Sequence, residues 1–276
     1  MLRQKGKNGY NKKNTGIINF FMNYKLIDTH AHLDFEKLQE NIDEILENAK
    51  AVGVEKIIIP GVTLEDTPKI IDLIEKYDNL FGAVAVHPSE AKGWQEEYYQ
   101  ILKEYAQHDK VVAIGETGLD YYWDKTFKET QQHVFRRHLE LAEELNIPVI
   151  VHDREAHADV LSILKEFPEV KGVMHCFSGS AEFAMDCVKI GYYIALGGPI
   201  TFKNAVKPKE VAAKIPFEKL VLETDSPFLT PHPFRGKEND PSKIILVAEA
   251  IAEIKNLSVE EVANITSQNA ETLFGI

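Results

Sequence analysis

Eight short apolar runs recur along this chain, and the stretches between them repeat their apolar residues at helical spacing. The runs fall at residues 26–28, 56–60, 82–86, 111–115, 149–151, 172–174, 192–196 and 220–222. Between them, Ile42, Ile45, Leu46 and Ala49 share one helix face, as do Ile70, Ile71 and Ile74, and Phe135, Leu139 and Ala142. Strands that are apolar throughout are buried on both faces, and strict strand–helix alternation gives a parallel sheet with right-handed crossovers. Eight such units predict a closed α/β barrel of the TIM type, (β/α)8, in a single domain. The rival, an open doubly wound sheet, normally carries a glycine-rich phosphate turn after its first strand. Here that position reads His30-Ala31-His32-Leu33-Asp34, and neither a G-x-G-x-x-G nor a G-x-x-x-x-G-K-[ST] element occurs anywhere.

What ends the runs matters as much as what fills them. His30 and His32 follow the first, Glu116 the fourth, His152 the fifth, His175 the sixth and Asp225 the eighth. Alternate residues of a strand share a face, so Ile114 with Glu116, Ile150 with His152, Val173 with His175 and Val221 with Asp225 are expected to point into the barrel. Asp28, of the same parity as His30, would then orient a ligand from one step deeper. A single histidine at a strand end is more often a hydrogen-bonded structural residue. Four imidazoles and two carboxylates converging on one partly buried mouth would instead carry a large desolvation and repulsion cost, which bound cations remove. Six ligands overfill one hydrolytic site, so two divalent ions are expected, with Glu116 bridging. His30, His32 and Asp225 would complete one ion, and His152 with His175 the other.

Composition narrows the partners. The 276 residues are 44% hydrophobic, enough for a large core, and the net charge of −12 argues against a broad basic surface for coating nucleic acid. Any nucleic acid would be gripped locally. Only Cys176 and Cys187 occur, so a disulfide framework is excluded and a reducing cytoplasm is the expected location. Residues 1–24 hold five cations and no acid, then a brief apolar run at 17–22 interrupted by Asn19. The expectation is a disordered extension, or translation from Met22, ahead of a hydrolase barrel over 25–276. No stretch reaches the length of a membrane span.

Five ordered motifs carry a resemblance to a known family: Ile27-Asp28-Thr29-His30-Ala31-His32-Leu33-Asp34, Gly115-Glu116-Thr117-Gly118-Leu119-Asp120, Pro148-Val149-Ile150-Val151-His152-Asp153-Arg154-Glu155-Ala156, His175-Cys176-Phe177-Ser178-Gly179 and Leu222-Glu223-Thr224-Asp225-Ser226-Pro227. In these, from about Lys25 to the C-terminus, the chain resembles the TatD family of metal-dependent deoxyribonucleases, within the amidohydrolase-like barrels. The resemblance implies a divalent-metal phosphodiesterase that removes nucleotides from the 3′ end of DNA, with RNA also described as a substrate, and Mg²⁺ as the usual metal. An imidazole-rich site admits Mn²⁺ and Zn²⁺ as well. Ala158 departs from the family, whose members often carry an acidic residue after the His-x-Arg motif, and this puts in question how the Arg154 loop is supported.

Further residues are candidates for substrate contact. Arg154, two past His152, either holds a phosphate or pairs with Asp153 or Glu155. His87 either donates to a phosphate or leaving oxygen, or caps the turn at Pro88. Arg235 and Lys237 lie in a loop that resembles the family's Arg-Gly-Lys element, and are otherwise solvated. Tyr121, Tyr122 and Trp123 either stack on a splayed base or, as the more common role, pack their loop. His108, His133 and His138 are expected to face solvent, and both cysteines to pack, Cys176 toward the helices. The expected chemistry is hydrolysis with Asp225 taking the water's proton, in a monomer that contacts DNA strand ends and no membrane. Two rival readings stand: an amidohydrolase for a cyclic amide, lactone or small ester, and a non-catalytic metal-binding barrel. The complete ligand set disfavours the second.

Overall fold

The computed structural model describes residues 24–276, so the expectations for the stretch before Tyr24 lie outside the described residues. Eight parallel strands pair in chain order: β1 Leu26–Asp28, β2 Val54–Ile59, β3 Leu80–Val84, β4 Val111–Asp120, β5 Val149–Arg154, β6 Gly172–Met174, β7 Tyr193–Leu196 and β8 Leu220–Leu222. Helices alternate with them, and the expected single-domain (β/α)8 barrel is what the chain forms. A small inner cluster draws on every strand: Ile27, Ile58, Ala83, Val112, Ala113, Ile150, Val173, Tyr193, Ala195 and Val221. The opposite faces of the strands join the helices in a larger outer cluster. Ala270 and Phe274 of the last helix, Val259–Phe274, complete the inner cluster. Asn269 of that helix donates to the Phe217 and Leu220 carbonyls, both at 2.8 Å, which fixes it against the start of β8.

The inner cluster corrects the strand-parity argument in two places. Ile114 packs outward, and its neighbour Ala113 faces in. Glu116 nevertheless reaches the interior because the β4–β5 register shifts between Ile114 and Thr117. In β1 it is Ile27 that faces in, so Asp28 does not lie beneath His30 as a support for a ligand. Its carboxylate instead accepts from the Thr224 N–H at 2.9 Å, the Thr224 hydroxyl at 2.5 Å and the His30 N–H at 3.2 Å. Together with the Thr29 N–H on the Leu222 carbonyl at 3.1 Å and the bridge from Ala31 to Ser226, this joins the last strand to the first. The barrel is thereby nearly closed.

His138 is a second correction, because it is buried rather than solvent-facing. In the helix Lys128–Leu145 its Nδ1–H donates to the Val134 carbonyl at 2.7 Å, while Nε2 accepts from the Val86 N–H at 3.0 Å just past β3. Both ring nitrogens are engaged in the neutral form, and a second proton has no acceptor. Burial lowers its pKa to about 4, although the bond to Val134 works the other way. In the unfolded chain it titrates at about 6.5, so below that pH the unfolded state gains a proton that the native state refuses. The stability His138 contributes is therefore full above about pH 6.5 and is lost as pH falls toward about 4, by at most about 1.4 kcal/mol per pH unit. Urea titrations should show the gap between wild type and His138→Gln narrowing across that window. A constant gap would mean that the native imidazole titrates as freely as the unfolded one.

Candidate metal centre

The strand ends converge on a cavity of about 620 Å³ at the C-terminal mouth of the barrel. His30 and His32 lie just past β1, held by the Asp225 N–H on the His30 carbonyl at 2.9 Å and the His32 N–H on the Ser226 carbonyl at 2.8 Å. Their Nε2 atoms are 3.3 Å apart. Glu116 sits at the centre. Its Oε1 is 2.6 Å from His152 Nδ1, 3.5 Å from His87 Nε2 and 3.8 Å from His175 Nε2, and its Oε2 is 3.3 Å from His30 Nε2. Asp225 Oδ1 lies 3.9, 3.6 and 3.8 Å from the Nε2 atoms of His30, His32 and His175. All six predicted ligands are therefore together. The grouping differs from the expected partition, since His175 stacks on His30 at 3.4 Å and clusters with His30 and Asp225, whereas His152 clusters with Glu116 and His87.

Glycine makes part of this geometry possible. Gly118 has φ +139, and a Cβ there would fall 2.1 Å from the His152 carbonyl oxygen. Without one, β4 runs close against β5, and Glu116 and His152 meet side by side.

Two groups that strand-end reasoning passed over complete the site. Glu223 is fully buried and bonds His175 Nδ1 at 2.8 Å, while its other oxygen accepts the Cys176 N–H at 2.7 Å. Asp120 accepts from His152 Nε2 at 3.1 Å and from the Tyr122 and Trp123 N–H groups, and Gln131 holds its backbone at both ends. Parity carries a signal for both. Glu223 lies between Val221 and Asp225 on one alternation, and Asp120 continues that of Glu116 once β4 is drawn to its full length.

The electrostatics follow from crowding. Burial alone would raise Glu116, but the surrounding His175, His87 and His30 hold its carboxyl well below the usual range. Burial and the neighbouring His175 hold His30 neutral, with a pKa of about 3 despite the pull of Glu116. For His152, burial is outweighed by the bonds to Asp120 and Glu116, which lift it to about 9. Burial also opposes charge on His175, yet Glu223, Glu116 and Asp225 carry it to about 10. The donor set fits a divalent cation. The Asp225 oxygen and three imidazole nitrogens converge at separations too long for hydrogen bonds, yet within reach of donors sharing an ion at roughly 2.0–2.2 Å. His30 Nδ1 and His32 Nδ1 are buried with no hydrogen-bond partner among the described residues, so both rings engage the site through Nε2.

The other candidates sort by position. Arg154 lines the cavity with its guanidinium 4.0 Å over the Tyr122 ring and 5.3 Å over Trp123. The expected carboxylate partners are engaged elsewhere: Asp153 with His157 at 2.7 Å and Glu155 with Lys125 at 3.3 Å. His87 does cap its turn, accepting the Ser89 N–H on Nδ1 at 3.2 Å, and so turns Nε2 toward the cavity. Arg235 stacks on Phe202 at 4.1 Å and Lys237 lies 5.8 Å over Phe234, and neither lines the cavity. Tyr121 is a packing residue, with its hydroxyl on Asp159 at 2.8 Å, whereas Tyr122 and Trp123 are exposed. Asp159 also supplies, one position past Ala158, an acidic group beside the Arg154 loop. His108 and His133 remain outside the site, paired with Glu75 and Glu96. Cys176 is a correction. It lines the metal cavity instead of facing the helices, because its backbone turns to φ 44 directly after His175.

The Glu223 contact generates a test. Glu223→Gln preserves shape but removes the charge that aims His175, and metal affinity should fall by about 10–100-fold with the fold intact. Competition against a chromophoric chelator measures this, and unchanged affinity would show that His175 is oriented without Glu223.

Comparison with known proteins agrees with the site. The family model described as TatD related DNase matches residues 27–275. YabD of Bacillus subtilis, named an uncharacterized metal-dependent hydrolase, is 51% identical over 253 residues, covering 91% of this chain and 99% of that protein. YcfH of Escherichia coli K12, named in the same way, is 40% identical over 258 residues, covering 91% and 96%. Among solved structures, that of YjjV, a TatD homologue from Escherichia coli K12, matches with a TM-score of 0.86 at 34% identity, covering 91% of this chain and 98% of that one.

Proposed function

Because the chain belongs to the TatD family of metal-dependent hydrolases, we propose that it is a deoxyribonuclease that hydrolyses phosphodiester bonds from the 3′ end of a DNA strand, with RNA as a second substrate. The observation that carries this reading is the Glu116 carboxylate, whose two oxygens face different histidines, Oε2 toward His30 and Oε1 toward His152. A carboxylate so placed suits a bridge between two ions. Two Mg²⁺ or Mn²⁺ ions, with Zn²⁺ also suited to these donors, would supply an acidified water and positive charge beside a phosphate.

The chain's own residues do the rest. Asp225 takes the proton of the attacking water; burial opposes its charge, but the nearby His32, His175 and His30 imidazoles keep it below the usual carboxylate range and so ionised. Arg154, paired with no carboxylate among the described residues, is placed to grip phosphate oxygens through two parallel hydrogen bonds. His87, with Nδ1 accepting from Ser89, carries its proton on Nε2 and can donate to the same phosphate. Trp123 and Phe228 line the cavity with exposed rings, which supports a ligand with flat faces such as an unpaired base.

Incubation of metal-loaded protein with 3′- and 5′-labelled single strands should shorten them from the 3′ end. Asp225→Asn should lower turnover by at least about 100-fold while keeping strand affinity. Arg154→Ala should weaken binding and flatten its salt dependence by about one phosphate's worth. Intact strands, together with turnover of a cyclic amide or lactone, would replace the nuclease reading with the amidohydrolase one.

A further inference from the structure

Beside the metal cavity lies a second one of about 460 Å³, and the two share Cys176, Ser178 and Leu229 as a common wall. Their chemistry differs sharply. The metal cavity is lined by four carboxylates and several imidazoles. Among the described residues the side chamber has no acidic group in its lining, and its walls are largely apolar, with Phe177, Leu196, Pro199, Ile200 and Val206 among them. Asn204 and Lys207 stand exposed at its rim. The chamber is built between the end of β7, the turn Gly198–Thr201 and the start of the helix Lys207–Lys214. A Cβ on Gly198 would fall 1.9 Å from the Leu229 carbonyl oxygen, so the turn Gly198–Thr201 and the loop after β8 meet backbone to backbone. Val206, 65% exposed, is a large apolar side chain left at its entrance.

We propose that this chamber receives the base of the nucleotide whose phosphate is held at the metal centre, an inference that rests on the nuclease reading above. A base has two apolar faces for the chamber walls and a polar edge that matches the donor and acceptor of the Asn204 carboxamide. Lys207 at the rim lies where a neighbouring phosphate would need a cation. An aliphatic chain would use the walls but neither of these groups, and a cationic ligand would find no counter-charge in the lining. The wall shared with the metal cavity sets the two side by side, one for phosphate and one for base. The chamber then makes the grip on a strand end depend on its terminal base as well as on its backbone.

Calorimetric titration of the full chain in Mg²⁺ tests this without relying on turnover. Deoxyadenosine 5′-monophosphate should bind at least about tenfold more tightly than 2-deoxyribose 5-phosphate. Ala205→Trp, which fills the chamber, should erase that advantage while leaving the affinity for the sugar phosphate unchanged. Asn204→Ala, an exposed change that spares the fold, should reduce it in part. Equal binding of the two ligands, an advantage that survives both variants, or tighter binding of octyl phosphate than of the nucleotide would each overturn the inference. A wild type that leaves DNA strands intact but keeps a base-dependent affinity removed by Ala205→Trp would sink the nuclease reading alone.

Discussion

The contact on which the site depends is the one that brings the end of the last strand to the first. Asp28 is wholly buried, and its carboxylate takes three donors, two of them from Thr224. This bond sets the position of the residues on either side of Thr224, Glu223 and Asp225, relative to His30 and His32. The carboxylate that aims His175 and the one that faces three imidazoles therefore depend on a seam that is not itself part of the chemistry. A buried carboxylate with no donors would be costly; with three it becomes a rigid joint.

Around that joint the molecule divides its work by face. The inner cluster is made mostly of small and branched residues from all eight strands, and the last helix closes its lower end with Phe274. Above it the side chains change abruptly to imidazole and carboxylate. Such a layer is tolerable because its members neutralise one another: His152 between Glu116 and Asp120, and His175 between Glu223 and Glu116. The crowding that would destabilise an isolated charge instead fixes each ring's orientation from its far side.

Much of this was legible in the sequence, for identifiable reasons. A run of three to five apolar residues between turn signals marks a buried strand, and eight of them leave few architectures open. The residue that ends each run is fixed by the same reading, so the six residues that meet at the mouth could be named. Strand parity was less reliable wherever the backbone leaves regular geometry. It assigned Ile114 to the interior because a register shift beside Gly115 has no signature in an apolar pattern. It placed Asp28 under the histidines because nothing local announces a partner 196 residues away. His138 looked solvent-facing because one histidine on a charged helix is indistinguishable from its neighbours until the Val86 backbone comes to rest against it. The side chamber was beyond reach of the sequence, since it is lined by segments whose only common property is where they end up.

The seam also bears on how the molecule is made. Thr29 donates to a carbonyl 193 residues further along the chain. At about 5–20 residues per second, a ribosome takes roughly 10–40 s to supply that partner after the first strand has emerged. Throughout that interval β1 has an open edge of unpaired peptide groups, adjacent to strands that are already able to pair. The nascent chain is a growing sheet and not yet a barrel, and it must be kept from borrowing a strand from another nascent chain. Closure comes only once β8 has been made, which makes the segment that carries it the part that decides whether the first strand finds its own partner.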